Sequence, residues 1–275
     1  MRKLSSTEVR AFRKRVYGVY RNSARSFPWR ETRDAYAITV SELMLQQTQT
    51  ARVAEYYSKF IKRFPSFKAL AQAPLADVLS SWQGLGYNRR ALFLKNLAVT
   101  VMERHGGKLP SDAKSLETLP GIGPYTAGAL AAFIFGEPAI FIETNIRAVY
   151  LKEFFSRHKT VPDNEIAELL RQTVDRRDPR TWYYALMDYG VVIKKTHRSL
   201  NKKSAHYVRQ SRFEGSVREI RGRILKVLTA KGALTPGRLR RVVESDADRF
   251  KKALAGLQRE GLVMMVRGKI AIQHE

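Results

Sequence analysis

The stretch LPGIGPYTAG at residues 119–128 constrains the fold of this chain more than any other part of the sequence. Gly121 and Gly123 allow the backbone of the turn to take a positive φ and to come close to another chain. Pro120 and Pro124 stiffen its two ends. The turn leads directly into a helix N-terminus, where unpaired backbone N–H groups suit an anion such as phosphate. The glycines alone are as typical of a plain connection between two helices.

The residues that follow complete a longer pattern. An apolar run at 139–142 leads to Glu143, at the start of another predicted helix. LPGIGPYTAG followed by this acid resembles the helix-hairpin-helix and Gly/Pro…acid motif of the endonuclease III superfamily of DNA glycosylases, and the resemblance covers roughly residues 27–193. It implies that the hairpin grips a DNA phosphate and holds a monovalent cation on its backbone carbonyls. The residues implied are Leu119 and Ile122 for the cation, and Gly121, Gly123 and Thr126 for DNA.

The charge of the chain agrees with a DNA partner. Fifty Lys and Arg residues against 25 Asp and Glu residues give a formal net charge of +25, which favours a polyanion, a nucleic acid more often than an anionic membrane. No apolar run approaches the roughly 18 residues that span a bilayer, and the charged, helix-patterned N-terminus is unlike a signal peptide. We therefore expect a cytoplasmic, nucleoid-associated monomer that binds double-stranded DNA with a mismatched or damaged base and no membrane.

The chain has no cysteine. This excludes disulfides, zinc–thiolate sites and cysteine-ligated iron–sulfur clusters. In most members of the family that the sequence resembles, four cysteines follow the segment that reads LMDYGVVI here, and Lys194 stands where the first would be. We expect no iron–sulfur cluster and no other cofactor apart from the cation at the hairpin. The basic segment Lys194–Arg212, beginning with Lys194 and Lys195, is expected to contact phosphates instead.

Helical periodicity with almost no strand signal before residue 261 predicts a mainly α body, and the resemblance implies a two-lobed helical glycosylase. We divide the chain into a glycosylase domain at 1–193, a basic linker at 194–216 and a small domain at 217–275. Three predicted helices and a hairpin around Arg267-Gly268 make the small α+β domain resemble a winged helix-turn-helix. The alternative is a domain that packs on the body and contacts no DNA.

Glu42 is the first candidate catalytic residue. It lies in SELMLQQTQ at 41–49, which resembles the signature of the MutY-type adenine DNA glycosylases. The resemblance implies that Glu42 is the general acid that protonates the flipped base. A carboxyl group held near apolar surface has a raised pKa and keeps its proton, as an acid catalyst must. A lone helical glutamate is otherwise normally a solvated surface residue.

Glu143 is the second candidate. The family residue at this position is an aspartate that stabilises the cationic sugar as the glycosidic bond breaks, and Asn145 matches a residue that orients it. The extra methylene of Glu143 puts the rate and the substrate in doubt, and a glutamate there could also serve only the helix macrodipole. Tyr125 stands where the lyase branch has a lysine that forms a Schiff base. This predicts a monofunctional enzyme, although Tyr125 could equally be a core residue.

Four further residues are implied to contact DNA. Gln47 and Tyr87 match family residues that push into the duplex and fill the space left by the flipped base. Such wedges help to offset an unstacking cost of a few kcal/mol. Leu85 and Thr48 lie at positions that contact the opposite base in the family. Tyr87 could alternatively be an ordinary aromatic residue at a helix end.

These residues predict a monofunctional DNA glycosylase of base excision repair that flips a mispaired base and removes it by hydrolysis. Adenine opposite guanine or oxidised guanine is the leading substrate, although no C-terminal feature supports recognition of oxidised guanine. The alternatives are removal of uracil, thymine, cytosine or hypoxanthine from a mispair and, from a different class, non-catalytic binding of distorted DNA. A metal nuclease is least expected, because carboxylates and histidines do not cluster at ligand spacing.

Overall fold

The computed structural model describes residues 2–197, 203–205 and 213–273, and they are mainly α-helical with one small hairpin, which confirms the predicted fold class. No helix in these ranges is long and apolar enough to cross a bilayer. A π-helical turn, Ala131–Phe135, continues α9. The helices are α1 Ser6–Ser23, α2 Pro28–Glu31, α3 Ala35–Leu45, α4 Thr50–Arg63, α5 Phe67–Gln72, α6 Leu75–Trp82, α7 Arg89–Arg104, α8 Ala113–Glu117, α9 Pro124–Leu130, α10 Thr144–Phe154, α11 Asp163–Thr173, α12 Pro179–Thr196, α13 Val217–Lys231, α14 Pro236–Val242 and α15 Ala247–Arg259, and the strands are β1 Val263–Val266 and β2 Lys269–Ile272.

The chain forms two compact units that interleave segments from different parts of the sequence. The first unit consists of Met1–Asp34, Ser111–Thr118 and Ile122–Arg209, and the second of Ala35–Pro110, Leu119–Gly121 and Gln210–Glu275. The division into 1–193, 194–216 and 217–275 follows chain order and stays a prediction. One detail of it was wrong: α12 continues to Thr196, so Lys194 and Lys195 belong to a helix rather than to a linker. Residues 198–202 and 206–212 of the predicted linker lie outside the described ranges.

The first unit is built around α12. Helix α1 begins with a capping box between Ser5 and Glu8 and packs on α12. Helix α10 also packs on α12, at a point where a Cβ added to Gly190 would lie 2.3 Å from the backbone oxygen of Asn145. Only glycine therefore allows these two helices to approach so closely. This contact brings the end of α12 to the start of α10, where the predicted acid lies.

The second unit has α3 at its centre and the C-terminal helices at its side. Residues 36–44 are all buried. Helix α4 buries Val53, Tyr57 and Phe60 along the face that its periodicity predicts. Helix α13 packs on α6, where Gln83 Nε2 donates a hydrogen bond of 2.6 Å to Thr229 Oγ1. Helix α13 therefore packs against the 35–110 segment within the second unit.

The C-terminal part has the predicted three helices followed by a hairpin. Strands β1 and β2 pair antiparallel, with Val266 opposite Lys269. The two turn residues between them, Arg267 and Gly268, have φ values of 47° and 73°. Two consecutive left-handed residues are typical of the type I′ turn that matches the twist of a two-stranded hairpin. The local turn chemistry was therefore sufficient to predict this element.

Candidate functional site

Glu143 caps the N-terminus of α10. Its Oε1 accepts a hydrogen bond of 3.0 Å from the backbone N–H of Ile146, and its Oε2 accepts one of 3.2 Å from Asn145 Nδ2. The side chain of Glu143 is half-buried. Glutamate thus fills the capping role that shorter acids usually take, and both carboxylate oxygens are held in place. Capping alone would also satisfy the purely structural interpretation of this residue.

Lys194 extends this network from α12. Its Nζ donates a hydrogen bond of 2.8 Å to Asn145 Oδ1. The amide of Asn145 therefore directs its oxygen to the lysine and its nitrogen to Glu143. Lys194 was predicted to contact DNA from a linker; that contact stays a prediction, but its ammonium group lies against Asn145. Sequence reasoning missed the link, although Gly190 and Lys194 stand four residues apart on one helix face.

The ionisation of Glu143 reflects two opposing influences. Burial raises the pKa of Glu143 above its ordinary value, while hydrogen bonds from Asn145 and Ile146 and the positive charge of Lys194 lower it. The net result is a raised pKa. Asn145 and Lys194 therefore favour the ionised carboxylate that the burial of the group disfavours.

The hairpin residues and Tyr125 differ in how far their observed conformations and burial agree with the roles predicted for them. The ring of Tyr125 is half-buried and packs edge-on against Phe141 at 5.7 Å between centroids. Gly121 has a φ of +77°, and a Cβ there would lie 2.6 Å from Phe93 Cβ, so glycine is required. Gly123 allows a positive φ but does not use it: it is the extended N-cap of α9 with φ −97°. Thr126 is buried.

Glu42 lies in the second unit, on α3. Only 5% of its surface is exposed, unlike that of an ordinary helical glutamate. Its two neighbours in the sequence, Ser41 and Leu43, are fully buried. Glu143 belongs to the first unit, and the action of both carboxyl groups on one nucleotide stays a prediction.

Arg90 organises the surface loops of the second unit, a role that sequence reasoning missed. Its Nη1 donates to the backbone oxygens of Leu43, Met44 and Gln46 at 2.7, 2.7 and 2.6 Å. Its Nη2 donates to Thr48 Oγ1 and Gly86 O, both at 2.9 Å, and to Leu85 O at 3.2 Å. Burial lowers the pKa of Arg90 to about 10, so the group is still charged at neutral pH. One feature of the sequence could have indicated this role. Arg90 stands in the first turn of α7, where the helix macrodipole disfavours positive charge, so another interaction is needed to offset the cost.

The two predicted wedge residues share an unusual backbone. Gln47 and Tyr87 have φ values of 59° and 47°, and both side chains are exposed. Each follows a residue, Gln46 or Gly86, whose carbonyl oxygen accepts from Arg90. Left-handed conformations cost a non-glycine residue about 1–3 kcal/mol and persist where the surroundings enforce them. Arg90 therefore presents both residues at the surface together.

The two residues predicted to contact the opposite base lie deeper. Leu85 is 4% exposed. The hydroxyl of Thr48 donates to Leu85 O at 3.1 Å and accepts from Arg90. The hydroxyl of Thr48 and the backbone oxygen of Leu85 therefore support the loop that carries Tyr87. The contact of either residue with a base stays a prediction.

Replacing Arg90 by lysine should lower the free energy of unfolding by about 2–4 kcal/mol. A lysine has three donors and cannot reach all of these acceptors, and each buried carbonyl that loses its donor costs about 1–3 kcal/mol. Urea denaturation measures the change. Arg89→Lys is the matched control, because Arg89 is exposed, and it should change stability by less than about 0.5 kcal/mol. Equal effects of the two substitutions would contradict the role of Arg90.

Comparisons with known proteins agree with this fold. Residues 40–176 match the family described as HhH-GPD superfamily base excision DNA repair protein. The chain is 36% identical to the human adenine DNA glycosylase over 70% of its own length and 38% of the human protein. It therefore spans about two-fifths of the mammalian relatives that it matches. It is 32% identical to the adenine DNA glycosylase of Mycobacterium tuberculosis, covering 93% of this chain and 91% of that protein.

Relatives with other names are also similar. A thymine/uracil-DNA glycosylase of Methanothermobacter thermautotrophicus is 32% identical over 62% of this chain and 78% of that protein. The solved structure of a thermostable thymine-DNA glycosylase has a TM-score of 0.60 at 27% identity and covers 68% of this chain and 87% of that one. The near-complete match to the mycobacterial protein decides the family. The chain belongs to the HhH-GPD superfamily of base excision DNA repair proteins, the endonuclease III superfamily whose motif its sequence carries.

Proposed function

We propose that this protein is a DNA glycosylase that removes adenine from a mispair with guanine or oxidised guanine. The main observation that supports this proposal is the half-buried carboxylate of Glu143, which Asn145 and Ile146 hold at the start of α10. The similarity to adenine DNA glycosylases supports adenine as the base. Glu42 and Gln47 stand in the segment whose sequence resembles the adenine branch.

The proposed reaction uses two carboxyl groups in different ionisation states. Glu42, as the acid, gives its proton to a ring nitrogen of the extruded base. The bond between C1′ and the base then breaks, and its electron pair leaves with the base. The Glu143 carboxylate stabilises the positive charge that develops on the sugar. Water adds to C1′ and loses a proton, which leaves a free base and an abasic site.

We propose that the enzyme has no lyase activity. The side chain of Tyr125 has no amine, so it cannot form the Schiff base that precedes strand cleavage. Borohydride should therefore trap no covalent complex between the protein and a substrate duplex, and the strand should break only after alkali. A trapped complex, or strand breaks before alkali, would show that another amine attacks the sugar.

A panel of duplexes tests the base. Adenine is placed opposite guanine or oxidised guanine, uracil, thymine and hypoxanthine are placed opposite guanine, and cytosine is placed opposite adenine, so that every candidate is in a mispair. Alkaline cleavage measures the release of each base. We expect release of adenine opposite guanine and oxidised guanine, and none of uracil, thymine, cytosine or hypoxanthine. The similarity to a thymine/uracil-DNA glycosylase favours thymine or uracil as the second candidate. Release of either of these bases with adenine untouched would replace the first proposal by the second.

Removing the charge of Lys194 should change the pH dependence of base release. In Lys194→Met, the pKa of Glu143 loses a favourable positive neighbour and rises further. A higher pH is then needed to ionise the carboxylate, so the acid limb of the single-turnover rate should move to higher pH. Lys195→Met is the matched control, since Lys195 is exposed and should leave the profile in place. A uniform loss of rate at every pH would mean that Lys194 only supports the fold.

A further inference from the structure

A cavity of about 690 Å³ lies in the second unit, between the 84–88 loop and the first half of α13. Its volume falls within the roughly 300–1,000 Å³ of small-molecule sites. One wall comes from the loop that carries the predicted wedge residue Tyr87, and the other from Phe213 and α13. Its lining residues include Arg52, Tyr87, Phe213, Arg218, Gly222 and Lys226.

Two aromatic rings are exposed at this cavity. Tyr87 is 38% exposed and Phe213 is 58% exposed. Exposed rings beside positive charge provide the faces on which unpaired nucleobases stack. The cavity therefore has the aromatic component of a nucleotide site.

Helix α13 holds one of these rings in place. Arg218 Nη1 donates a hydrogen bond of 2.8 Å to Tyr87 Oη, and its guanidinium carbon lies 5.7 Å from the centroid of the tyrosine ring. The guanidinium carbon of Arg90 lies at the same distance from that centroid. The orientation of Tyr87 is therefore set partly by a residue of the C-terminal region.

The cavity is positively charged. Arg52, Arg218, Arg223 and Lys226 line it together with one acid, Glu219. Glu219 accepts from Arg223 Nη2 at 2.6 Å, so its charge is matched within the wall. Arg52 is paired with Glu55, at 3.1 Å between Nη1 and Oε2. The lining side chains still carry a net positive charge, which suits the phosphates that flank a nucleotide.

Gly222 leaves the middle of the α13 wall open. Among the described residues, no heavy atom other than those of its chain neighbours and of the adjacent helix backbone lies within 4 Å of the position that its Cβ would occupy. Glycine in a helix interior is unfavourable compared with alanine, and it is typical of places where a ligand approaches the backbone. Space, rings, charge and an uncovered helix backbone thus coincide at one place.

We propose that this cavity binds one unpaired nucleotide of duplex DNA, with its base against Tyr87 and Phe213 and its phosphates near the cationic side chains. The nucleotide is the one left without a partner when the opposite base leaves the stack, a step that rests on the proposed function. The C-terminal helices then help to select the mispair, through Arg218 and Phe213.

Filling the cavity tests this proposal. The probe is a duplex in which one guanine faces a stable abasic analogue, and the reference is the fully paired duplex of the same sequence. Wild type should prefer the probe, and Gly222→Leu should reduce that preference about tenfold without weakening binding to the reference. Gly18→Leu is the matched control, because Gly18 is also a mid-helix glycine and a Cβ there meets only Arg21 Nη2, at 3.9 Å. Thermal unfolding verifies that both variants are folded.

Removing the ring and the charge gives a second test. Phe213→Ala and Arg218→Ala should each lower the preference for the probe, whereas Lys231→Ala, at the far end of the same helix, should not. If Arg218→Ala and Lys231→Ala weaken probe and reference equally, the helix contributes only general charge and the proposal is wrong. An unchanged preference in Gly222→Leu and Phe213→Ala would also overturn it.

The binding assay separates this proposal from the glycosylase proposal. The probe needs no base release, so the preference is measured even if the protein removes no base. If the wild-type protein releases no base but prefers the probe, and Gly222→Leu loses that preference, the cavity proposal holds and the glycosylase proposal is wrong. If base release is normal and every variant keeps the wild-type preference for the probe, only the cavity proposal is wrong.

Discussion

Glu42→Gln should lower the single-turnover rate of base release by about 10²–10⁴-fold, the usual contribution of a general acid. Glutamine has nearly the same shape and cannot give up a carboxyl proton. Because the proposed acid is protonated and uncharged before the reaction, its replacement by glutamine leaves the charge of the protein unchanged, and DNA affinity should change by less than about threefold. The rate is measured with enzyme in excess over DNA, and the affinity by titration of an uncleavable duplex.

Glu103→Gln is the control for Glu42→Gln. Glu103 is exposed on α7, and its replacement makes the same chemical change without reaching a buried site. The control should keep the wild-type rate. If Glu42→Gln keeps more than about a tenth of the wild-type rate, the proton comes from another group, and the role assigned to Glu42 is wrong.

Glu143→Gln should lower the rate of base release by about 10²–10³-fold, the usual effect of removing one group that stabilises transition-state charge. The amide oxygen can still accept the hydrogen bond from the Ile146 N–H, so α10 keeps a cap. Glu143→Asp keeps an ionised carboxylate at a strongly preferred N-cap residue type. It should therefore retain measurable base release under the same single-turnover conditions.

The pair of variants at Glu143 distinguishes charge from shape. Loss of activity in Glu143→Gln with retention in Glu143→Asp supports a carboxylate that acts on the sugar. Equal loss in both would mean that a carboxylate at this position is not sufficient, and that the length of the side chain matters as well as its charge. If neither Glu42→Gln nor Glu143→Gln changes any activity, the protein is better explained as a non-catalytic binder of distorted DNA.

The pKa of Glu143 also has a consequence for stability. Because burial raises this pKa above its ordinary value, the folded protein binds more protons than the unfolded chain between the two values. The contribution of Glu143 to stability is therefore fully present below the ordinary carboxyl pKa and is lost as pH rises through the raised value. Glu143→Gln lacks a titrating group and should not show this part of the loss, as pH-dependent urea denaturation would measure.

The sequence predicted the local features of this protein well. The helix-hairpin-helix string, the acid that begins α10 and the turn at Arg267-Gly268 each depend on residues that are close in the chain. Their backbone geometry follows from glycine, proline and capping chemistry, which operate over a few residues. Gly123 shows that glycine permits a positive φ without requiring it: a helix N-cap is extended in any residue type.

Contacts between distant residues were not predictable in this way. Lys194 and Asn145 are 49 positions apart, and Arg218 and Tyr87 are 131 positions apart. Arg90 donates mainly to backbone oxygens. Every residue has a carbonyl oxygen, so the sequence carries no signal for which ones an arginine will find.

The sequence by itself determined the family, the helical fold class and the two carboxylates on which the chemistry is proposed to depend. Only the tertiary structure decided how Glu143 is held and how Gln47 and Tyr87 are presented at the surface. It also decided that α13 forms a wall of the cavity beside Tyr87. The physical reason is that capping and periodicity are local, whereas the orientation of a side chain depends on donors and acceptors that folding brings from elsewhere in the chain.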